Sequence, residues 1–188
     1  GYSEIPVGKE YSVRHGDKVF NWESILYADN SVFDVFTHDI IYGDSKTALV
    51  DPTSAAVSES FSSKYFDDAN PIGETISIND KPYKITLVFA DLPENTSLKY
   101  DILLSYPPDA ETNWTDHSIT YLLMPKGYKA QDFKPISDSI NSHFNLQEPI
   151  SLSKYWLQPL ADIHFNPDII GEITANKFNI YGFTAVAV

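Results

Sequence analysis

Cysteine is absent, which removes disulfides, Cys-ligated zinc, iron–sulfur clusters and thiol nucleophiles from consideration together. Basic side chains are few: 13 Lys and Arg stand against 26 Asp and Glu, a formal net charge of −13. Such a surface repels phosphate backbones and anionic headgroups, whose binding depends on basic side chains displacing counterions, so nucleic acid is not an expected partner. The carboxylates are spread along the chain rather than gathered in a tail, and they read as a solubilising surface. No apolar run reaches the roughly 18 residues that cross a bilayer. G-x-S-x-G, P-loop and G-x-G-x-x-G motifs are missing too, and with them the usual signatures of nucleophile-elbow hydrolases, NTPases and dinucleotide enzymes. The five histidines, His15, His38, His117, His143 and His164, include no pair at i, i+4 and no zincin offset. No catalytic residue, metal ligand or cofactor-binding residue is therefore assigned, and no cofactor is expected. The densest carboxylate pair, Asp67-Asp68, falls at a predicted helix end and reads as loop solvation.

What remains is the composition of an ordinary globular chain: 188 residues, 43 % hydrophobic and 21 % charged, enough for one domain or two small ones sharing a core. Short strands are expected at Tyr11–Val13 and Lys18–Phe20, around a turn at His15-Gly16-Asp17, and again over Trp22–Tyr27. Ser58 is placed to cap a helix running to about Phe66, with Phe61 and Tyr65 four apart on one face. The strongest local signal is a β-hairpin over Glu74–Ile78 and Tyr83–Phe89, joined by Asn79-Asp80-Lys81-Pro82. Its alternation puts Tyr83, Ile85, Leu87 and Phe89 on one face, with Lys84 and Thr86 opposite. A polar, Pro-rich stretch from Tyr106 to Asp116 marks a boundary. Beyond it come a strand at Ser118–Met124, a helix over Asp132–Phe144 with Pro135 in its first turn, and a strand at Ile150–Leu157. Most of the 12 Tyr and 11 Phe fall on apolar faces, while Tyr106, Trp114 and Tyr128 are candidates for exposure. The uncharged run Phe178–Val188 reads either as a last buried strand or as the opening of a membrane helix.

Specific runs of residues carry a resemblance. Tyr27-Ala28-Asp29, Val32-Phe33-Asp34-Val35-Phe36, Tyr42-Gly43-Asp44 and Thr47-Ala48-Leu49 occur in order, followed by Asn70-Pro71-Ile72-Gly73-Glu74-Thr75-Ile76 and Asp91-Leu92-Pro93-Glu94-Asn95. A second patch is Leu157-Gln158-Pro159-Leu160-Ala161-Asp162-Ile163-His164. Together they resemble the MacB-like periplasmic core domain of FtsX-type ABC transporter permeases. The resemblance implies an α+β fold in which a porter-like split βαβ subdomain carries a mostly β, Sabre-like insertion. On that scheme residues 1–28 are porter-like strands from a family start that is truncated here. Residues 29–105 are the insertion, 106–116 a linker, 117–171 the porter-like strand–helix–strand, and 172–188 the approach to a truncated transmembrane helix.

The same resemblance implies a non-catalytic domain on the periplasmic face of the bacterial inner membrane. It would relay motion that a cytoplasmic ATPase subunit or domain drives through the membrane helices, in a permease dimer, to a periplasmic adaptor or cargo. The alternative is a ligand-binding or sensory ectodomain with an apolar cleft. Contact with a partner is expected at the polar hairpin tip and the loop that follows the hairpin, with Asn79, Asp80, Lys81, Glu94 and Asn95 as the candidate residues.

Overall fold

The computed structural model describes residues 2–4, 11–22, 24–67, 69–94, 96, 99–106, 118–119 and 121–145. The chain divides into two compact units, Gly1–Leu123 and Met124–Val188. Residues that had been expected to form the linker after Tyr106, the strand Ile150–Leu157 and the run Phe178–Val188 lie outside the described residues.

The first unit is built on one mixed sheet. Its strands are β1 (Tyr2–Glu4), β2 (Tyr11–His15), β3 (Lys18–Trp22), β4 (Ile25–Ala28), β5 (Ile40–Gly43), β6 (Ser54–Ser58), β7 (Thr75–Ile78), β8 (Lys81–Phe89), β9 (Ile102–Ser105) and β10 (Ser118–Ile119). They lie in the order β10-β1-β4-β9-β6-β8-β7-β2-β3, and β5 joins the edge of β8 beyond the end of β7. Two short helices, α1 (Val32–Val35) and α2 (Glu59–Phe66), cover it. The class is α+β, with strand in excess.

The expected helix forms for the expected reason. Ser58 sits in extended backbone and its hydroxyl oxygen accepts from the Phe61 amide at 3.2 Å, satisfying one of the free donors of the first turn. Phe61 and Tyr65 stack with ring centroids 4.5 Å apart, and Phe20 meets Tyr65 edge-on. The Tyr65 hydroxyl donates to the Val13 carbonyl at 3.0 Å, while Lys18 reaches the last turn, bonding the Tyr65 carbonyl and Asp67. These contacts clamp α2 onto the β2–β3 hairpin.

The β7–β8 hairpin forms too, with two differences. Its connection is two residues long, Asn79 and Asp80, both with left-handed backbone at φ 47° and 65°. That geometry matches the twist of the flanking strands, and Asn and Asp tolerate it better than other side chains. Lys81 and Pro82 are thus strand residues. Pro82 stands opposite Ser77, one position beyond the pair that flanks the turn, where the backbone nitrogen points away from β7 and the missing donor costs no ladder bond.

The second difference overturns the expected alternation. Ala55 pairs with Ile85, but the next pair is Ala56 with Leu87, so Thr86 is an extra residue in β8. The bulge shifts the phase of everything after it. Tyr83, Ile85 and Val88 lie on the side of α2, in a core with Val13, Val57, Phe61, Tyr65, Ile76 and Leu104. Leu87 and Phe89 face the other way, into a second core with Val32, Leu49, Ala56, Tyr100 and Leu103. The sheet is therefore buried on both faces at its centre, which is why all five residues of β6 and all four of β9 are buried. Thr86 itself puts its hydroxyl 2.6 Å from the Ala48 carbonyl and 3.1 Å from that of Ala55.

The strand expected over Ser118–Met124 is shorter than its sequence suggests. Among the described residues only Ser118 and Ile119 pair, against a three-residue β1, and Tyr121 meets Phe36 edge-on while Leu123 is 72 % exposed. In the second unit a 3-10 turn, Ala130–Phe133, runs into α3, Lys134–Asn145. Pro135 occupies its first turn, where the backbone amide has no intrahelical partner to lose.

The bulge generates a stability prediction. Gly43, at φ 95°, lies across from it, and a Cβ there would stand 2.3 Å from the Thr86 carbonyl oxygen. Gly73 has the same backbone, φ 94°, with open space around it. Gly73→Ala should cost about 1 kcal/mol, for backbone conformation alone. Gly43→Ala should cost about 1–3 kcal/mol more, because backbone must move. Urea denaturation of both variants measures the difference.

Candidate functional site

The hairpin tip is docked rather than free. Asn79 lies beside β2, where its amide donates to the Ser12 carbonyl at 3.0 Å and its side-chain oxygen accepts from the Ser12 amide at 3.1 Å. One residue thus continues the β2–β7 ladder, which pairs Val13 with Ile78 and Arg14 with Ser77. Inward-facing Val13, Ile76 and Ile78 fix that register, since a one-residue slip would expose all three. The same alternation turns Ser12, Arg14 and Ser77 outward. With Asn79 and Asp80 they line an open polar groove of about 320 Å³. The chain's only arginine, Arg14, lies 4.0 Å from Asp80 with both side chains largely in solvent, so their attraction is weak and Arg14 stays available to another anion.

The structure brings Asn79, Asp80 and Lys81 together at the tip, but not Glu94. That residue follows the other end of β8, and a nine-residue strand at about 3.4 Å per residue spans roughly 30 Å. Tip and loop therefore lie toward opposite ends of β8. Asn95 lies outside the described residues. The loop before Glu94 is held at the N-terminus of α2, where Asp91 accepts from the Ser60 amide at 3.0 Å and from its hydroxyl. Asp101 joins it there. Its carboxyl is raised above the ordinary range by burial and then by the Asp91 charge, against the hydroxyl of Ser58. Both aspartates have structural partners, as a helix N-terminus provides.

Sequence reasoning missed Ser12, Arg14 and Ser77 as neighbours of the tip. The alternation of Tyr11 and Val13 with Ser12 and Arg14 signals an outward face, but the β2–β7 pairing spans more than 60 residues and leaves no local trace. A second exposed feature is β5, whose Ile40, Ile41 and Tyr42 are each more than a third exposed. Its ladder slips at Ile41, a bulge of the kind that protects an edge from strand addition.

Comparison with known proteins decides the family. The MacB-like periplasmic core domain matches residues 4–133, more than two thirds of the chain. The chain belongs to that family. Among solved structures, a domain described as that of a permease from Porphyromonas gingivalis is similar, with a TM-score of 0.57 at 22 % identity. So is the periplasmic region of MacB from Actinobacillus actinomycetemcomitans, with a TM-score of 0.50 at 17 % identity. The first match covers 76 % of this chain and 62 % of the other, the second 73 % and 64 %, so the chain spans less than two thirds of either structure. At such identities the likeness is one of fold. Curated proteins provide no match. For this MacB-like domain, the comparisons support the α+β class and the family named on the Tyr27–Ser105 motifs.

The tip generates its own prediction. Asn79→Ala should cost about 1–2 kcal/mol, losing both the Ser12 bond and a tolerated left-handed residue. Lys81 is exposed, and Lys81→Ala should change stability by less than about 0.5 kcal/mol. Thermal or chemical melts of the two variants test the distinction.

Proposed function

We propose that the chain is the periplasmic domain of a MacB-like ABC permease in the bacterial inner membrane, and that it relays motion rather than catalysing a reaction. The observation that carries this reading is the family match over residues 4–133. The fold supports it physically. A sheet buried on both faces and clamped by helices moves as a body, as a transmission element must. ATP hydrolysis belongs on this reading to a cytoplasmic subunit or domain acting through the membrane helices, within a permease dimer. The porter-like and Sabre-like division at residues 28/29 and 105/106 is part of the same proposal.

An adaptor or cargo meets the domain at the hairpin tip, through Asn79, Asp80 and Lys81, with Arg14 beside them, and a separate contact near Glu94 and Asn95 would involve the far end of β8. The ligand-binding alternative draws little from the groove. Small-molecule sites are mostly apolar clefts of about 300–1,000 Å³, whereas this groove is polar and at the bottom of that range.

This domain has no cysteine of its own, so with any cysteine elsewhere in the permease replaced by serine an introduced one is the single label site. In the full-length permease, Lys81→Cys alone should transport normally, and coupling a bulky maleimide to it should stop transport while ATP hydrolysis continues. Labelled Glu94→Cys shows whether the far end contributes. Undiminished transport with Lys81→Cys labelled would place the contact elsewhere, and nucleotide hydrolysis by the purified domain would contradict the non-catalytic reading.

A further inference from the structure

His38 is held from both ring nitrogens. Its Nδ1 lies 2.9 Å from the Phe36 carbonyl and its Nε2 2.5 Å from the Tyr100 hydroxyl. A carbonyl only accepts, so Nδ1 carries the proton in the neutral ring. Nε2 then offers a lone pair, and the Tyr100 hydroxyl must donate to it. Three rings enclose the imidazole: Phe33 at 5.2 Å and Phe89 at 5.6 Å, both edge-on, and Tyr100 at 6.0 Å. Tyr100 is buried at 6 % exposure, and it belongs to the core that Phe89 and Leu87 enter after the bulge.

This bond has a mechanical position. His38 lies between α1 and β5, and its neighbour Asp39 uses its carbonyl to accept from the Ala90 amide at 2.8 Å, next to the first β5–β8 pair, Ile40 with Phe89. Beyond that pair β5 is held by two more pairs, Tyr42 with Val88 and Gly43 with Leu87, but it is only four residues long, bulged at Ile41 and exposed throughout.

We propose that His38 is a proton-operated latch: neutral, it ties the Phe36–Asp39 turn to Tyr100 and keeps β5 on the edge of β8, and protonated, it lets that segment open. A second proton on the ring turns Nε2 into a donor. The Tyr100 hydroxyl must then rotate its own proton away from the ring, and it has no other hydrogen-bond partner among the described residues, or the bond is lost. Charged side chains on the packed elements are Asp34 on α1, Asp39 beside the ring in sequence, Asp91 after β8, and Lys99 and Asp101 flanking Tyr100. None forms an ion pair with His38 among the described residues. Burial holds the imidazole below its ordinary value, against the pull of the Phe36 bond. The unfolded or opened chain therefore binds the proton more readily than the closed one. Closure is at full strength above the ordinary histidine value of about 6.5 and weakens as pH falls below it.

Amide hydrogen exchange on the whole chain, corrected for intrinsic rates, reads the latch. Between pH 7.5 and 5.0 the opening of Ile40–Gly43 and Ala90 should increase at least tenfold, with β6 amides unchanged. His38→Gln should abolish the step. Tyr100→Phe should open the segment already at pH 7.5 and shrink the step, a readout that stands if the glutamine variant does not fold. The ring Cε1 resonance should titrate below 6.5. An unchanged β5 in the wild type, an equal step in His38→Gln, or a ring titrating at or above its ordinary value overturns the proposal.

Discussion

One extra residue in β8 governs the rest of the first unit. At Thr86 the strand changes phase, and the apolar side chains before and after it go to different cores. Without that change Leu87 and Phe89 would crowd the α2 side, while β8 would offer only Val88 to α1, Leu49 and Tyr100. The bulge is held from three directions. Ala55 and Ala48 receive the Thr86 hydroxyl, and Gly43 allows β5 to pass against the Thr86 carbonyl, where any Cβ would collide. Local strain of this kind survives only when the surroundings over-determine it.

The same point separates what could be read in the sequence from what could not. Ser58 as a cap, the Phe61–Tyr65 face and the 75–89 hairpin were legible because each signal lies within a few residues of its effect. The family was legible because motifs such as Asn70-Pro71-Ile72-Gly73-Glu74 keep their order. The bulge was not, because Tyr83 to Leu87 alternates and the apolar run Leu87-Val88-Phe89 that follows buries side chains in either phase. Only partners distant in sequence, β6 and β5, choose between them. The tip shows the same limit. Its turn chemistry was plain in Asn79-Asp80, but the approach of Arg14 and the placing of Lys81 and the Glu94 loop toward opposite ends of β8 follow from the sheet.

A two-sided core suits the transmission of motion proposed for this domain. Pairing of β6 with both β8 and β9 lets force on either face reach the other through packed side chains rather than through loops. The periphery is different. Edge strand β5 is short and bulged, and one imidazole outside the sheet ties down its approach. A stiff centre with a lightly held edge is consistent with the proposed role, in which membrane helices carry the domain and partners meet its surface.

The central claim is that the two cores form one cooperative unit joined at the Thr86 bulge. Native-state hydrogen exchange in increasing denaturant tests it most directly. Amides of Val13, Ile76 and Ile78 on the α2 side, and of Ala56, Leu87 and Leu103 on the other, should converge on a single opening free energy equal to that of global unfolding. Two separate values, with one core opening while the other stays closed, would contradict the account.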